Sequence, residues 1–106
     1  MPKFLFVATY SAEGMKGLLR EGGSERRKMI GDIAGNLGGE LESFYYAFGS
    51  DDVYSIVDLP DNKTAAAMAM HISAGGMVKT RVTVLLTPEE VDQSARTKMY
   101  FRPPGA

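Results

Sequence analysis

Apolar and polar positions change period several times along the chain, and each change marks an element. Residues 3–10 (KFLFVATY) carry the aromatic and branched side chains of a strand, and Ser11 follows as an N-cap. From Ser11 to Leu37 the period is helical. Gly22 and Gly23 interrupt it and Ser24 can restart it, so the pattern predicts a helix with a short kink. Met29, Ile30, Ile33 and Leu37 form its apolar stripe, backed by Arg26, Arg27, Lys28 and Asp32. Gly38 and Gly39 end that segment, and residues 40–48 (ELESFYYAF) read as a second strand stopping at Gly49. Gly49-Ser50-Asp51-Asp52 has turn composition, and residues 53–59 form a third strand, which makes a β-hairpin. Pro60 closes this strand, and Asp61 caps a helix over roughly residues 62–74. The inward stripe of that helix is Ala65, Met68, Ala69 and Ile72, small enough to let it approach a sheet closely. Gly75 and Gly76 stop it, and residues 77–86 alternate as a fourth strand. Thr87-Pro88-Glu89-Glu90 is a capping box that starts a short helix reaching about Arg96. Residues 97–106 are a tail ending in Pro103, Pro104 and Gly105.

The order β-α-β-β-α-β with one extra helix predicts an α+β fold, the ferredoxin-like split βαβ arrangement of a four-stranded antiparallel sheet. Residues 1–96 make one domain and 97–106 its C-terminal tail. Alternation sorts the strand residues into two sets. Leu5 and Val7 oppose Phe4, Phe6, Ala8 and Tyr10; Leu41 and Tyr45 oppose Phe44, Tyr46 and Phe48; Val53 and Val57 oppose Tyr54 and Ile56. With the aliphatic set under the helices, the aromatic set is left on a face that the two main helices do not cover. Four strands of roughly 17 Å, spaced by roughly 4.8 Å, give that face a footprint of roughly 330 Å². A patch of this kind predicts a homodimer or higher homo-oligomer, two sheets pairing face to face into a dimeric α/β barrel. The alternative is that the tail or the third helix covers the face. Tyr100 and Phe101 give the tail a reason to pack on a partner subunit, against the plainer reading of a loose terminus.

Composition narrows the function classes. A chain of 106 residues makes one core and no second. Lysine and arginine number 12 against 13 aspartates and glutamates, a net charge of -1, which argues against a nucleic-acid partner. With 44% hydrophobic and 24% charged residues the chain is globular. The absence of cysteine removes disulfides, thiolate metal sites and cysteine nucleophiles, and a single histidine, His71, removes a His-rich metal site. No metal and no cofactor are therefore expected. The apolar run from Phe4 to Ala8 is too short for a signal segment or a membrane span, so no membrane association and a cytoplasmic setting are expected.

Several short pieces in a fixed order carry a resemblance. The opening MPKFLFVATYS, Leu37-Gly38-Gly39 before the second strand, Phe44-Tyr45-Tyr46, the turn Gly49-Ser50-Asp51-Asp52, and Asp58-Leu59-Pro60-Asp61 leading to Thr64-Ala65-Ala66 resemble the GYD-domain family over roughly residues 1–90. The resemblance implies a ferredoxin-like dimeric α/β barrel and supplies no reaction. The family turn reads Gly-x-Tyr-Asp; here Asp51 stands where the tyrosine would be, while Gly49 and Asp52 are kept. A role for that ring would pass to Tyr54 or Tyr46.

Candidate chemistry is sparse. Asp51 and Asp52 are adjacent carboxylates; in a dry site such a pair splits its pKa values for acid and base work, although a hairpin turn selects aspartate anyway. Asp52 is the better catalytic candidate, because its parity matches Tyr46 and Tyr54. His71 is the second, as a proton shuttle or, since similar barrels hold haem, an axial ligand. Its place beside Ala67, Met70 and Ala74, off the buried stripe, favours a partly exposed histidine. Tyr10, Tyr46 and Tyr54 offer phenols inside an apolar cavity, and Arg81 offers a carboxylate partner from the edge strand, against the reading that the aromatics glue two sheets together. Arg26-Arg27-Lys28 reads as a solvated helix face, the methionines as core packing, and the glycine pairs as helix ends without a phosphate-binding fingerprint. Three functions follow in order: a cofactor-independent barrel binding a small, mostly apolar ligand between helix layer and sheet or at the dimer mouth; a small enzyme of monooxygenase or isomerase type; and a structural assembly module without ligand.

Overall fold

Capping groups and glycines set the boundaries in the computed structural model, which describes residues 1–106. Strand β1 (Lys3–Tyr10) hands over to α1 (Ala12–Glu21) at Ser11, whose hydroxyl accepts from the Gly14 amide. Gly22, at φ 89°, then breaks the helix outright, and α2 (Gly23–Asn36) starts as a separate element. The expected kink is thus a full break, because a residue in the positive-φ region cannot continue a right-handed helix. Strands β2 (Glu40–Tyr46) and β3 (Val53–Asp58) form the hairpin. Helix α3 (Asn62–Ala74) is capped by the Asp61 carboxylate, which accepts from the Thr64 amide and hydroxyl, both at 2.8 Å. Strand β4 (Val78–Leu85) follows, and α4 (Pro88–Arg96) opens with the complete capping box of Thr87 and Glu90. The sheet is antiparallel with order β2-β3-β1-β4, so the fold is α+β and ferredoxin-like.

The register of β1 decides what is buried. Phe4 pairs with Val57 and Val84, and Phe6 with Ser55 and Val82, while Leu5 pairs with Ile56 and Thr83. Paired residues share a face. The aromatic set of β1 therefore lies with the aliphatic set of β3, and this mixed face, not the aliphatic one, meets the helices. Alternation within a strand shows which of its residues go together; only pairing shows which sets of neighbouring strands combine. In β2 an irregularity between Leu41 and Ser43 resets the parity, so Leu41 joins Phe44 and Tyr46 under the helices. The core is Phe4, Phe6, Val57 and Leu59 against Ala34, Ala65 and Met68, flanked by half-buried Ile30, Ile33 and Ile72. Each large side chain taken out of water here contributes about 1.5–3 kcal/mol.

The opposite face of the sheet stays open. Leu5, Val7 and Ile56 form its apolar centre, beside Tyr54 and Tyr45, the latter 71% exposed. One end carries Lys3, whose ammonium reaches Glu42 (2.5 Å) and Asp58 (2.9 Å). The other end carries Asp51 and Arg81. Neither α4 nor the tail covers this face: α4 buries no residue, and residues 88–106 are exposed throughout. The chain measures 57 × 33 × 23 Å with a radius of gyration of 16.9 Å, against about 13 Å for a compact domain of this length. The excess lies in the C-terminal arm, which displays Val91, Met99, Tyr100 and Phe101 to solvent. No helix is long and apolar enough to cross a membrane.

Two glycines separate packing from propensity. A Cβ at Gly39 would collide with the Asp58 carbonyl oxygen and meet Leu59 Cδ2 at 3.0 Å, whereas one at Gly35 in α2 would meet nothing within 4 Å. Gly39→Ala should lose at least about 2 kcal/mol in urea unfolding, and Gly35→Ala should gain about 0.5–1 kcal/mol by restricting the unfolded chain.

Candidate functional site

Helices α2 and α3 do not close over the sheet. Ile30 and Ile33 on α2 and Met68 and Ile72 on α3, with Ala67 beside them, line a cleft of about 720 Å³. Its lining is apolar except for Arg26 and His71, its only ionisable side chains. Beneath it a further space of about 40 Å³ reaches the sheet, bordered by Phe6, Tyr10, Phe44, Ser55 and Thr80. Arg26, Ile30, Met68, Ile72 and Val78 line both, so the two spaces are the mouth and the depth of one site. An opening of this size with few polar groups matches the dimensions of small-molecule sites.

Arg26 belongs to this site and not to the solvated face. Its side chain is 20% exposed, whereas that of Lys28 stands in water. Its Nη1 donates to Met29 Sδ at 3.4 Å and lies 3.8 Å from Glu21. The spacing carries a signal for this placement: Arg26 precedes Ile30 by four residues and Ile33 by seven, which puts all three on one helical face. Nearby, Tyr46 donates its hydroxyl to the Gly23 carbonyl at 2.9 Å and so ties β2 to the start of α2. Its phenol is pushed above the ordinary tyrosine value, first by burial and then by Tyr10 beside it. His71 sits exposed on α3 along the cleft wall.

The two adjacent aspartates have distinct jobs, and it is Asp51, not Asp52, that shares a face with Tyr54. Asp52 fastens the hairpin to β1. Its carboxylate accepts from the Tyr10 amide (2.8 Å), its own amide donates to the Ala8 carbonyl (2.9 Å), and its carbonyl accepts from the Ala47 amide (2.8 Å). Asp51 instead lies on the open sheet face with Tyr54. It accepts from the Thr9 hydroxyl (3.0 Å), Arg81 Nη2 (2.9 Å) and the Tyr54 hydroxyl (3.3 Å), and its side chain is only 14% exposed. These partners hold its carboxyl below the usual aspartate range, the Thr9 hydrogen bond foremost and the Arg81 charge after it. Parity counted back from β3 fails here because strand geometry begins only at Val53.

The candidates thus fall in three places. Tyr10 borders the depth of the cleft and His71 its wall; Asp52 and Tyr46 border a groove shared with Met15, Leu18 and Phe48; Tyr54 and Arg81 lie on the open face. Tyr46 and Tyr54 sit on opposite faces of the sheet, so the three tyrosines do not converge in one cavity. Asp52 and His71 do not meet either. No three of the His, Asp and Glu side chains cluster as metal ligands would.

All of the ferredoxin-like sheet but Lys3, with the Gly49–Asp52 turn and α3, lies inside the span, residues 4–95, that matches the model of the GYD domain. The chain belongs to the GYD domain family. Searches of curated proteins and of solved structures found no match. In this GYD domain the position at which the family resemblance expects tyrosine holds Asp51, and the carboxylate there is neutralised within the chain by Arg81.

Both aspartates give measurable expectations. Asp52→Ala removes the acceptor for the Tyr10 amide and should cost about 1–3 kcal/mol in thermal or urea unfolding. Asp51 has a folded-state pKa below its unfolded value, so its contribution is present at neutral pH and disappears as pH falls through the folded value. Asp51→Asn should melt below the parent at pH 7, with the gap closing once the pH drops under about 4. A gap that persists unchanged at low pH would contradict this placement of Asp51.

Proposed function

We propose that this GYD domain binds a small, mostly apolar ligand in the cleft between α2 and α3, and works as a pair of chains. The cleft itself carries the reading. Its walls are Ile30, Ile33 and Leu37 from the α2 side and Ala67, Met68 and Ile72 from α3, and apolar walls left open to water favour an apolar occupant. The open sheet face supports the pairing. Its centre is aliphatic and aromatic and its two ends are ionic, the distribution of a dry centre within a polar rim. Two such faces meeting across a two-fold axis would make the dimeric barrel, with the arm from Pro88 onward free to lie along the partner chain.

The enzyme reading has weaker support. The Asp52 carboxylate accepts from the Tyr10 amide, and His71 lies on a different surface. A purely structural module requires a filled interior, which the cleft disfavours.

Two experiments test the two halves separately. Ala67 lines the cleft, and Ala67→Phe should fill it and weaken binding of the neutral dye N-phenyl-1-naphthylamine by about 10-fold or more, the scale of one aromatic ring's burial. Undiminished dye fluorescence in this variant would place the ligand elsewhere. In sedimentation velocity the parent should run as a dimer and Ile56→Arg, which places a charge at the centre of the open face, as a monomer; a monomeric parent would remove the pairing.

A further inference from the structure

The cleft contains one strong cation whose surroundings do not match its charge. Four-fifths of the Arg26 side chain is withdrawn from water. A guanidinium presents a planar fork of N–H donors; no nitrogen of this one is both fully buried and unpartnered, so the donors without a protein acceptor are still reached by water and open to a ligand. Within the chain Arg26 hydrogen-bonds only to the Met29 thioether at 3.4 Å, a weak acceptor. The Glu21 carboxylate stands at 3.8 Å, beyond hydrogen-bond distance, and is itself half exposed. Arg26 borders both the mouth and the depth of the cleft, so a ligand in either part lies against its side chain. No acidic side chain lines either part, and the other walls are aliphatic, thioether or aromatic apart from the His71 imidazole at the mouth and the hydroxyls of Tyr10, Ser55 and Thr80 in the depth.

Resting on the binding reading above, we propose that the ligand is an apolar monoanion: a carboxylate with a hydrocarbon or aromatic body, its head group held by Arg26. A carboxylate supplies two oxygens in the plane of the guanidinium fork, and the pairing is stronger in the low-dielectric cleft than in water. The apolar body lies along Ile30, Ile33, Met68 and Ile72. A neutral apolar molecule would leave the guanidinium as it is, whereas the anion completes it. Glu21 stands near the same guanidinium but outside the cleft lining, where its charge opposes that of an anionic head group.

The test compares two probes of one chain length, dodecanoate and 1-dodecanol, each displacing N-phenyl-1-naphthylamine from the full chain at neutral pH. Dodecanoate should bind about 10- to 100-fold more tightly, the worth of a charge-assisted pair. Arg26→Met should abolish that preference while retaining dodecanol, which also reports that the variant is folded; Arg26→Lys should keep part of it. Glu21→Gln should raise affinity for dodecanoate and leave that for dodecanol unchanged. Equal affinity of the parent for both probes, a preference that survives Arg26→Met, or no gain in Glu21→Gln would overturn the assignment of the anion. Dodecanol binding without any preference rejects the anion and leaves the apolar cleft reading standing. Failure of the dye and of both probes rejects the two together.

Discussion

Phe4 and Phe6 on the central strand are held beneath the helices by the pairing of β1 with both of its neighbours, and the two surfaces described above depend on that register. It sets Phe4 against Val57 and under Ala34, Ala65 and Met68, which anchors α2 and α3 to the sheet. The same register sends Leu5, Val7 and Thr9 to the other side. A slip of one residue would exchange the two faces and leave two phenylalanines in water, at a cost of several kcal/mol. The open face is therefore a consequence of the core, and its apolar centre is the remainder left once the helices have taken the aromatic side.

The cleft follows from how the helices are seated on this core. Both approach the sheet through small residues, Ala34 on α2 and Ala65 on α3, which are buried almost completely. Close seating at those points leaves the longer side chains, Ile30, Ile33 and Ile72, to span the space between the helices, and they do not fill it. Gly22 has a part in this arrangement. By ending α1 and starting α2 as a separate element, it fixes where the first turn of α2 lies, and Tyr46 pins that turn through the Gly23 carbonyl. Arg26 projects from the same turn into the mouth of the cleft. The chemistry available there is electrostatic and apolar, without a paired acid and base.

Local elements were legible in the sequence because their determinants are local. Ser11, Asp61 and Thr87 cap the helices they were expected to cap, and the α3 stripe of Ala65, Met68, Ala69 and Ile72 packs inward. The ferredoxin-like order was legible for the same reason. What required coordinates was non-local: the combination of strand faces, the parity reset near Glu42, and the division of labour between Asp51 and Asp52. A turn residue's side chain is aimed by backbone bonds to another strand, here Ala8 and Tyr10, which no period along the chain records. Arg26 is the intermediate case. Its spacing to Ile30 and Ile33 marked it as a member of the buried face, but its two basic neighbours gave it the look of a solvated run.

The central claim is that the α2–α3 cleft, and not the open sheet face, is where a small apolar anion is held. Amide chemical-shift mapping of the ¹⁵N-labelled chain during titration with dodecanoate tests it most directly. Perturbations should concentrate on the turns of α2 around Arg26, Ile30 and Ile33 and of α3 around Met68 and Ile72, with Leu5, Tyr54 and Arg81 unmoved. Perturbations centred on Leu5, Tyr54 and Arg81, with α2 and α3 unmoved, would contradict it.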